Sequence, residues 1–211
     1  MSSPSFLIFQ LAVLIFSVMI HEISHGAVAL RLGDPTAKLA GRLTLNPLKH
    51  LDFFGSFLLP ISLYFLSSGT MVFGWAKPVP YNPMNLRNPK KGAGIIALAG
   101  PLSNFAIAIV FGVIVRIFAP MLGVESTFVF FLNLIVLMNV LLAVFNLMPL
   151  PPLDGSNILF SVLPAAYAGI QQFLLRYGFF ILIFFIVFGF PFLVPIVSAI
   201  YNVLVGSAGV F

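Results

Sequence analysis

From Phe6 to Leu30 the chain reads FLIFQLAVLIFSVMIHEISHGAVAL, an apolar run long enough to cross the roughly 30 Å hydrocarbon core of a bilayer. His21, Glu22 and His25 interrupt it near its C-terminal end. Three further runs have the same apolar character: Ala93–Phe118, Phe128–Met148 and Tyr177–Leu204. The last carries Pro191 and Pro195, so it reads as one broken helix or a short hairpin. Charged residues make up only 7% of the chain, far from the roughly 25% of a soluble domain. Lipid must therefore solvate most of the surface. The fold class this dictates is an all-α polytopic membrane protein, a single domain over residues 1–211 with about four to five transmembrane helices.

The stretches between the runs are more varied. Phe53–Phe73 is apolar but broken by Pro60 and Gly69. Gly74–Gly92 is rich in Pro and Asn and reads as loop or extended chain. GRLTLNP, from Gly41 to Pro47, has strand character and is expected to form a short membrane-associated β element. PLPPLDG breaks the chain after Met148, and Leu159–Arg176 is expected to form a short interfacial helix. Eight of the ten basic residues fall in two clusters: Arg31, Lys38, Arg42 and Lys49, then Lys77, Arg87, Lys90 and Lys91. Flanking apolar runs, they read as cytoplasmic loops under the positive-inside bias and not as a nucleic-acid surface. The first twenty residues carry no basic n-region, so no removable signal peptide is expected.

His21-Glu22-Ile23-Ser24-His25 fits the pattern H-E-x-x-H. Residues four apart on a helix share a face, so both imidazoles can bind one metal ion. Glu22 is then placed to act on a metal-activated water as general base. An ionisable group at membrane depth costs about 2.5–3.5 kcal/mol on insertion scales. The chain has only three histidines and five acidic residues. Such a concentration of them inside a span favours a metal site over coincidence or over histidines pairing in a bundle.

A catalytic zinc usually keeps three protein ligands and one open position. Asp34, His50, Asp52, Glu125 and Asp154 are the candidates for the third. Asp34 lies between Gly33 and Pro35 and reads as a turn residue, while Glu125 falls in a short loop assigned to the opposite membrane face. His50 and Asp52, where a basic loop re-enters apolar sequence, compete with Asp154. Position favours Asp154, which stands isolated among apolar and proline residues just past the Phe128–Met148 run.

HEISH on a span, followed by NLMPLPPLDG (Asn146–Gly155) at the end of a later span, resembles the site-2 protease family, the M50-type intramembrane zinc metalloproteases. AGPLSN (Ala99–Asn104) resembles that family's intermediate motif. RLGDPTAKLAGRLTLNPLKHLD and GWAKPVPYNP are similar to its compact prokaryotic branch, which lacks PDZ and CBS domains. The resemblance implies one Zn2+ per chain on His21, His25 and Asp154, with Glu22 as general base. It also implies Asn146 near the substrate or the developing oxyanion. The substrate it implies is a membrane protein, cleaved within or near a transmembrane segment in a prokaryotic cytoplasmic membrane. An adaptor or a second copy of the chain is a candidate further partner.

The implied ligands constrain the topology. His21 and His25 lie near the C-terminal end of the first run, and Asp154 follows the C-terminal end of Phe128–Met148. Both runs must then cross in the same direction, with an odd number of crossings between them. Two apolar segments intervene, so one must fail to cross. Phe53–Phe73, with its proline and its basic flanks, is expected to dip in and return as a re-entrant segment. The N-terminus is then outside and both basic loops are cytoplasmic. Counting from Arg31 at about 1.5 Å per residue, the imidazoles lie roughly 9 and 15 Å deep, nearer the cytoplasmic side. Asn46, Asn104 and Asn146 are candidates to line a water path to that depth, against the equal alternative of helix–helix hydrogen bonds. The rival functional class is a membrane metal-ion transporter or metal-binding protein, since intramembrane ionisable groups also mark ion paths.

Overall fold

The structure, a computed structural model, describes residues 4–50, 58, 62 and 77–211. Its helices are α1 (Pro4–Arg31), α2 (Thr36–Leu39), α3 (Pro89–Leu122), α4 (Thr127–Asn146), α5 (Asp154–Val162), α6 (Ala168–Phe184) and α7 (Phe190–Val205). Among the described residues, four helical stretches are long and apolar enough to cross a membrane: Phe6–Arg31, Pro89–Leu122, Thr127–Asn146 and Ala165–Ala208. Large apolar side chains such as Ile8, Phe16, Val113 and Phe188 face outward, as a lipid-solvated surface requires.

α3 is the hub, packing against α1, α4, α5 and α7. Its entry is set by Asn88, whose side chain accepts from the Lys91 N–H while Pro89 occupies the first turn. Ala108 and Val115 of α3 meet Val129, Val136 and Val140 of α4 and Val197, Tyr201 and Val205 of α7 in one apolar core. α1 and α3 are antiparallel, because Ser17 and His25 of α1 bond to Asn104 and Ile96 of α3 respectively. α4 returns after a short turn at Gly123–Ser126. α1 and α4 therefore run in the same direction, as the parity argument required.

The Phe53–Phe73 segment and Asp52 lie outside the described residues, apart from positions 58 and 62. The residues on either side are neighbours: the Lys77 N–H donates to the His50 carbonyl at 2.9 Å. The two basic loops are also tied by Asp34, which is fully buried. Its carboxylate accepts from the Asn82 N–H at 2.6 Å, from Asn85 Nδ2 at 2.7 Å and from the Thr36 hydroxyl. Burial works against its charge, but the bonds from Thr36, Asn85 and Asn82 outweigh it and hold the carboxyl below its ordinary pKa.

Two expectations are corrected. GRLTLNP forms turns leading into a 3-10 helix at Pro47–Lys49, and no strand occurs among the described residues. Asn46 caps that turn by accepting from the Leu48 N–H at 3.1 Å, which closes the chain locally and offers no partner strand. The interfacial helix placed at Leu159–Arg176 is instead split. α5 ends at Val162, and Leu163 is extended with ψ 124°. Pro164 disfavours helical backbone at the residue before it. Of the two readings open for Tyr177–Leu204, a broken helix or a short hairpin, the structure has the first: the segment belongs to one helical run, Ala165–Ala208. Phe185–Gly189 is a π turn within that run, just before Pro191, which cannot donate to the helical ladder.

Candidate metal centre

α1 presents His21 and His25 one turn apart, with ring centroids 4.6 Å apart and the planes nearly perpendicular. Asp154 opens α5 after the PLPPLDG turn. The turn is possible at this separation because Gly155 has no side chain. A Cβ there would lie 2.2 Å from the Leu147 carbonyl oxygen and 2.3 Å from that of Met148. Asp154 Oδ2 lies 3.0 Å from His21 Nε2 and 3.2 Å from His25 Nε2. Asp34, His50 and Glu125 are not part of this group, which is the one set of three or more such residues among those described that could hold a metal ion.

The protonation of the two imidazoles follows from what stands behind them. His25 Nδ1 is 2.7 Å from the Ile96 carbonyl oxygen. A carbonyl only accepts, so that nitrogen carries the proton and Nε2 of a neutral ring carries a lone pair. His21 Nδ1 is 2.6 Å from Asn104 Oδ1. The amide orientation there is fixed in relay. Asn139 Nδ2 donates to the Ile135 carbonyl at 2.9 Å, which turns Asn139 Oδ1 toward Asn104. Asn104 Nδ2 donates to that oxygen at 3.0 Å and to the Ser17 carbonyl at 3.4 Å, which turns Asn104 Oδ1 toward His21. His21 Nε2 therefore also carries a lone pair. With both rings neutral, two lone pairs and a carboxylate oxygen converge, and the buried Asp154 Oδ2 has no hydrogen-bond partner. A cation would fit that arrangement: two imidazoles and a carboxylate suit zinc, and hydrogen bonds at Nδ1 are of the kind that orient zinc-ligating histidines.

Gly100 of α3 makes room for both rings. A Cβ at that position would stand 2.5 Å from His21 Nε2 and 2.5 Å from His25 Nε2. The glycine of the AGPLSN stretch is thus part of the site's shape, which its spelling alone did not disclose. Glu22 is half-buried beside the group, and its Oε2 accepts from the Val79 N–H at 2.8 Å. That contact and the Ile96 carbonyl were missed because main-chain groups leave no letter in the sequence.

The other expected site residues fall differently. Asn146 ends α4 and donates through Nδ2 to the Leu142 carbonyl of its own helix at 3.0 Å. Asn46 is exposed and caps its own turn. Asn104, a candidate water-path residue, is wholly buried and serves the bundle and His21. Asp34 has its carboxylate occupied by loop donors. His50 is buried and donates through Nε2 to the Thr44 carbonyl at 2.9 Å. Glu125 is exposed in the turn between α3 and α4, toward the opposite end of the bundle.

Among the described residues, four apolar spans and a two-histidine, one-carboxylate cluster define the class: a multi-pass membrane protein with a metal-competent centre. Comparison with known proteins specifies it further. The family model for Peptidase family M50 matches residues 112–185, a stretch that includes Asn146 and Asp154. The Bacillus subtilis (strain 168) protein named "Putative zinc metalloprotease YwhC" is 37% identical over 184 residues, 84% of this chain and 78% of that protein. The Mycolicibacterium smegmatis protein named "Putative zinc metalloprotease Rip2" is 33% identical over 146 residues, 69% of this chain and 53% of that one. No solved structure matches the chain. The chain belongs to peptidase family M50.

Proposed function

We propose that this protein is an intramembrane zinc endopeptidase, that His21, His25 and Asp154 hold the ion, and that Glu22 is the general base. One observation carries the ligand assignment: the Nδ1 protons of both histidines are committed to acceptors behind them, leaving two lone pairs and an unpartnered carboxylate oxygen facing one another. Zinc bound there supplies Lewis acidity, polarising a scissile carbonyl and lowering the pKa of water toward 7. The chain's own residues do the rest. Glu22 takes a proton from the attacking water and delivers it to the leaving amine. Asn104 and the Ile96 carbonyl keep the imidazoles in one tautomer and one orientation. Asn146 has a second amide hydrogen and a carbonyl oxygen available for the substrate backbone.

The substrate is a membrane protein whose transmembrane helix must unwind locally before its peptide bond is open to attack. The N-terminus lies outside the cytoplasm, and the basic loops, joined through Asp34 and through Lys77 and His50, lie inside. Transport is the weaker reading. Among the described residues, the buried polar cluster at Asn133 and Tyr201 is closed by its own hydrogen bonds, which does not favour an ion path.

Glu22→Gln tests the proposal. The variant is expected to bind zinc as the wild type does and to cleave a membrane-embedded substrate about a thousandfold more slowly or not at all. Cleavage at the wild-type rate by zinc-loaded Glu22→Gln would refute it.

A further inference from the structure

The Val79 N–H that reaches Glu22 comes from a segment, Lys77–Pro80, with an unusual supply of donors. Its sequence is Lys-Pro-Val-Pro. Proline has no N–H, so Val79 is the single main-chain donor between residues 78 and 80, and Glu22 Oε2 takes it at 2.8 Å. The segment lies hard against α1. Val79 is buried, and a Cβ at Gly26 would come within 2.8 Å of Val79 Cγ1.

Arg42 grips the same segment from the other side. Its buried guanidinium donates through Nη2 to the Lys77 carbonyl at 2.6 Å and the Pro78 carbonyl at 3.2 Å, and through Nη1 to the Lys49 carbonyl. Among the described residues no carboxylate lies within ion-pair distance of it. A buried arginine that directs its donors at main-chain carbonyls is fixing backbone. The Pro78 carbonyl and the Val79 N–H belong to one planar peptide unit. Arg42 therefore holds the oxygen end of the amide whose hydrogen end holds Glu22. The planarity transmits orientation from one end to the other, and a cation at the oxygen strengthens the N–H as a donor.

We propose that the Pro78–Val79 peptide, clamped by Arg42, is the positioning device for Glu22, fixing Oε2 so that Oε1 is presented to the water. Arg42 is on this view a positioning residue that acts through a peptide bond. The proposal rests on the reading of Glu22 as general base.

The test uses the full zinc-loaded chain in detergent. The substrate is a fluorogenic single-pass peptide with an Asn-Gly pair in its apolar span. Hydrogen exchange followed by mass spectrometry reads Val79 nearly alone in a fragment covering residues 77–80, because both flanking residues are proline. Glu22→Ala and Arg42→Ala are each expected to speed exchange at Val79 about tenfold or more. Arg42→Ala is expected to lower kcat about ten- to hundredfold with KM and zinc content near the wild-type values. Arg42→Lys, which keeps the charge and one donor for the carbonyls, is expected to restore part of that loss. Val79→Pro, which keeps Arg42 and removes the donor along with the valine side chain, is expected to lower kcat as Arg42→Ala does. Unchanged kcat in Val79→Pro, or Val79 exchange indifferent to Glu22→Ala, would overturn the proposal even if Arg42→Ala failed to fold. Wild-type turnover by Glu22→Gln is a different failure, that of the general-base reading itself.

Discussion

Around Tyr201, in the half of the bundle away from the histidines, buried polar groups satisfy one another. Asn133 donates through Nδ2 to the Val129 carbonyl at 3.0 Å and the Ala208 carbonyl at 3.2 Å, and its Oδ1 accepts the Tyr201 hydroxyl. That hydroxyl accepts in turn from the Val210 N–H at 3.1 Å. Around His21 the donors are just as well ordered behind the rings, but the chain of bonds stops short in front of them. Asp154 Oδ2 is buried without a partner. Both clusters carry the cost of polar groups in an apolar bundle. The first offsets it with its own hydrogen bonds and fastens the C-terminal residues to α4 and α7. The second brings two imidazole nitrogens and a carboxylate oxygen together as a group that could hold a cation. A closed network indicates architecture and an open one indicates chemistry, a distinction that residue type alone does not make.

The largest effect that would sharpen this contrast is expected from His25→Ala. It should lose zinc and lower turnover by about a thousandfold or more, read by metal analysis and substrate cleavage. Asn104→Ala removes the acceptor that sets the His21 tautomer, and should weaken zinc about ten- to hundredfold in a chelator competition. If Asn104→Ala bound zinc as the wild type does, the relay through Asn139 would be architecture and the contrast would blur. Tyr201→Phe should do the reverse. Losing the hydroxyl strands Asn133 Oδ1 and the Val210 N–H, for a cost of about 1–3 kcal/mol in unfolding, with zinc content unchanged.

The smallest effect concerns Asp34. Its carboxyl is held below the ordinary value, so the folded protein favours the ionised form. The stability this contributes is fully present above the ordinary aspartate pKa of about 3.9, and is lost as pH falls through the lowered folded value. Thermal unfolding of the wild type should therefore weaken below that pH more steeply than that of Asp34→Asn, which has no such group to protonate.

The spans and the metal centre were legible because each rests on a pattern of side chains. Apolar runs report lipid solvation, and HEISH reports two imidazoles on one helix face. Asp154 stood out by its isolation among apolar and proline residues. What stayed hidden was carried by main-chain atoms and by close approach. The Ile96 carbonyl, the Val79 N–H and the missing Cβ of Gly100 have no sequence signature apart from their distant partners. One mistake had a local signal that a local cap outranked. GRLTLNP has strand composition, yet Asn46 turns it into a capped 3-10 helix. Pro191 and Pro195 left a broken helix and a hairpin both open, and a helical run interrupted by a π turn at Phe185–Gly189 is the former. Pro164 was a legible stop that the reading of Leu159–Arg176 overran.

Zinc content of the purified protein, wild type beside Asp154→Ala, bears most directly on the assignment of the centre. About one zinc per chain is expected in the wild type, and a small fraction of that in the variant at unchanged helix content. Equal zinc in the two proteins would contradict the assignment of Asp154 as the third ligand.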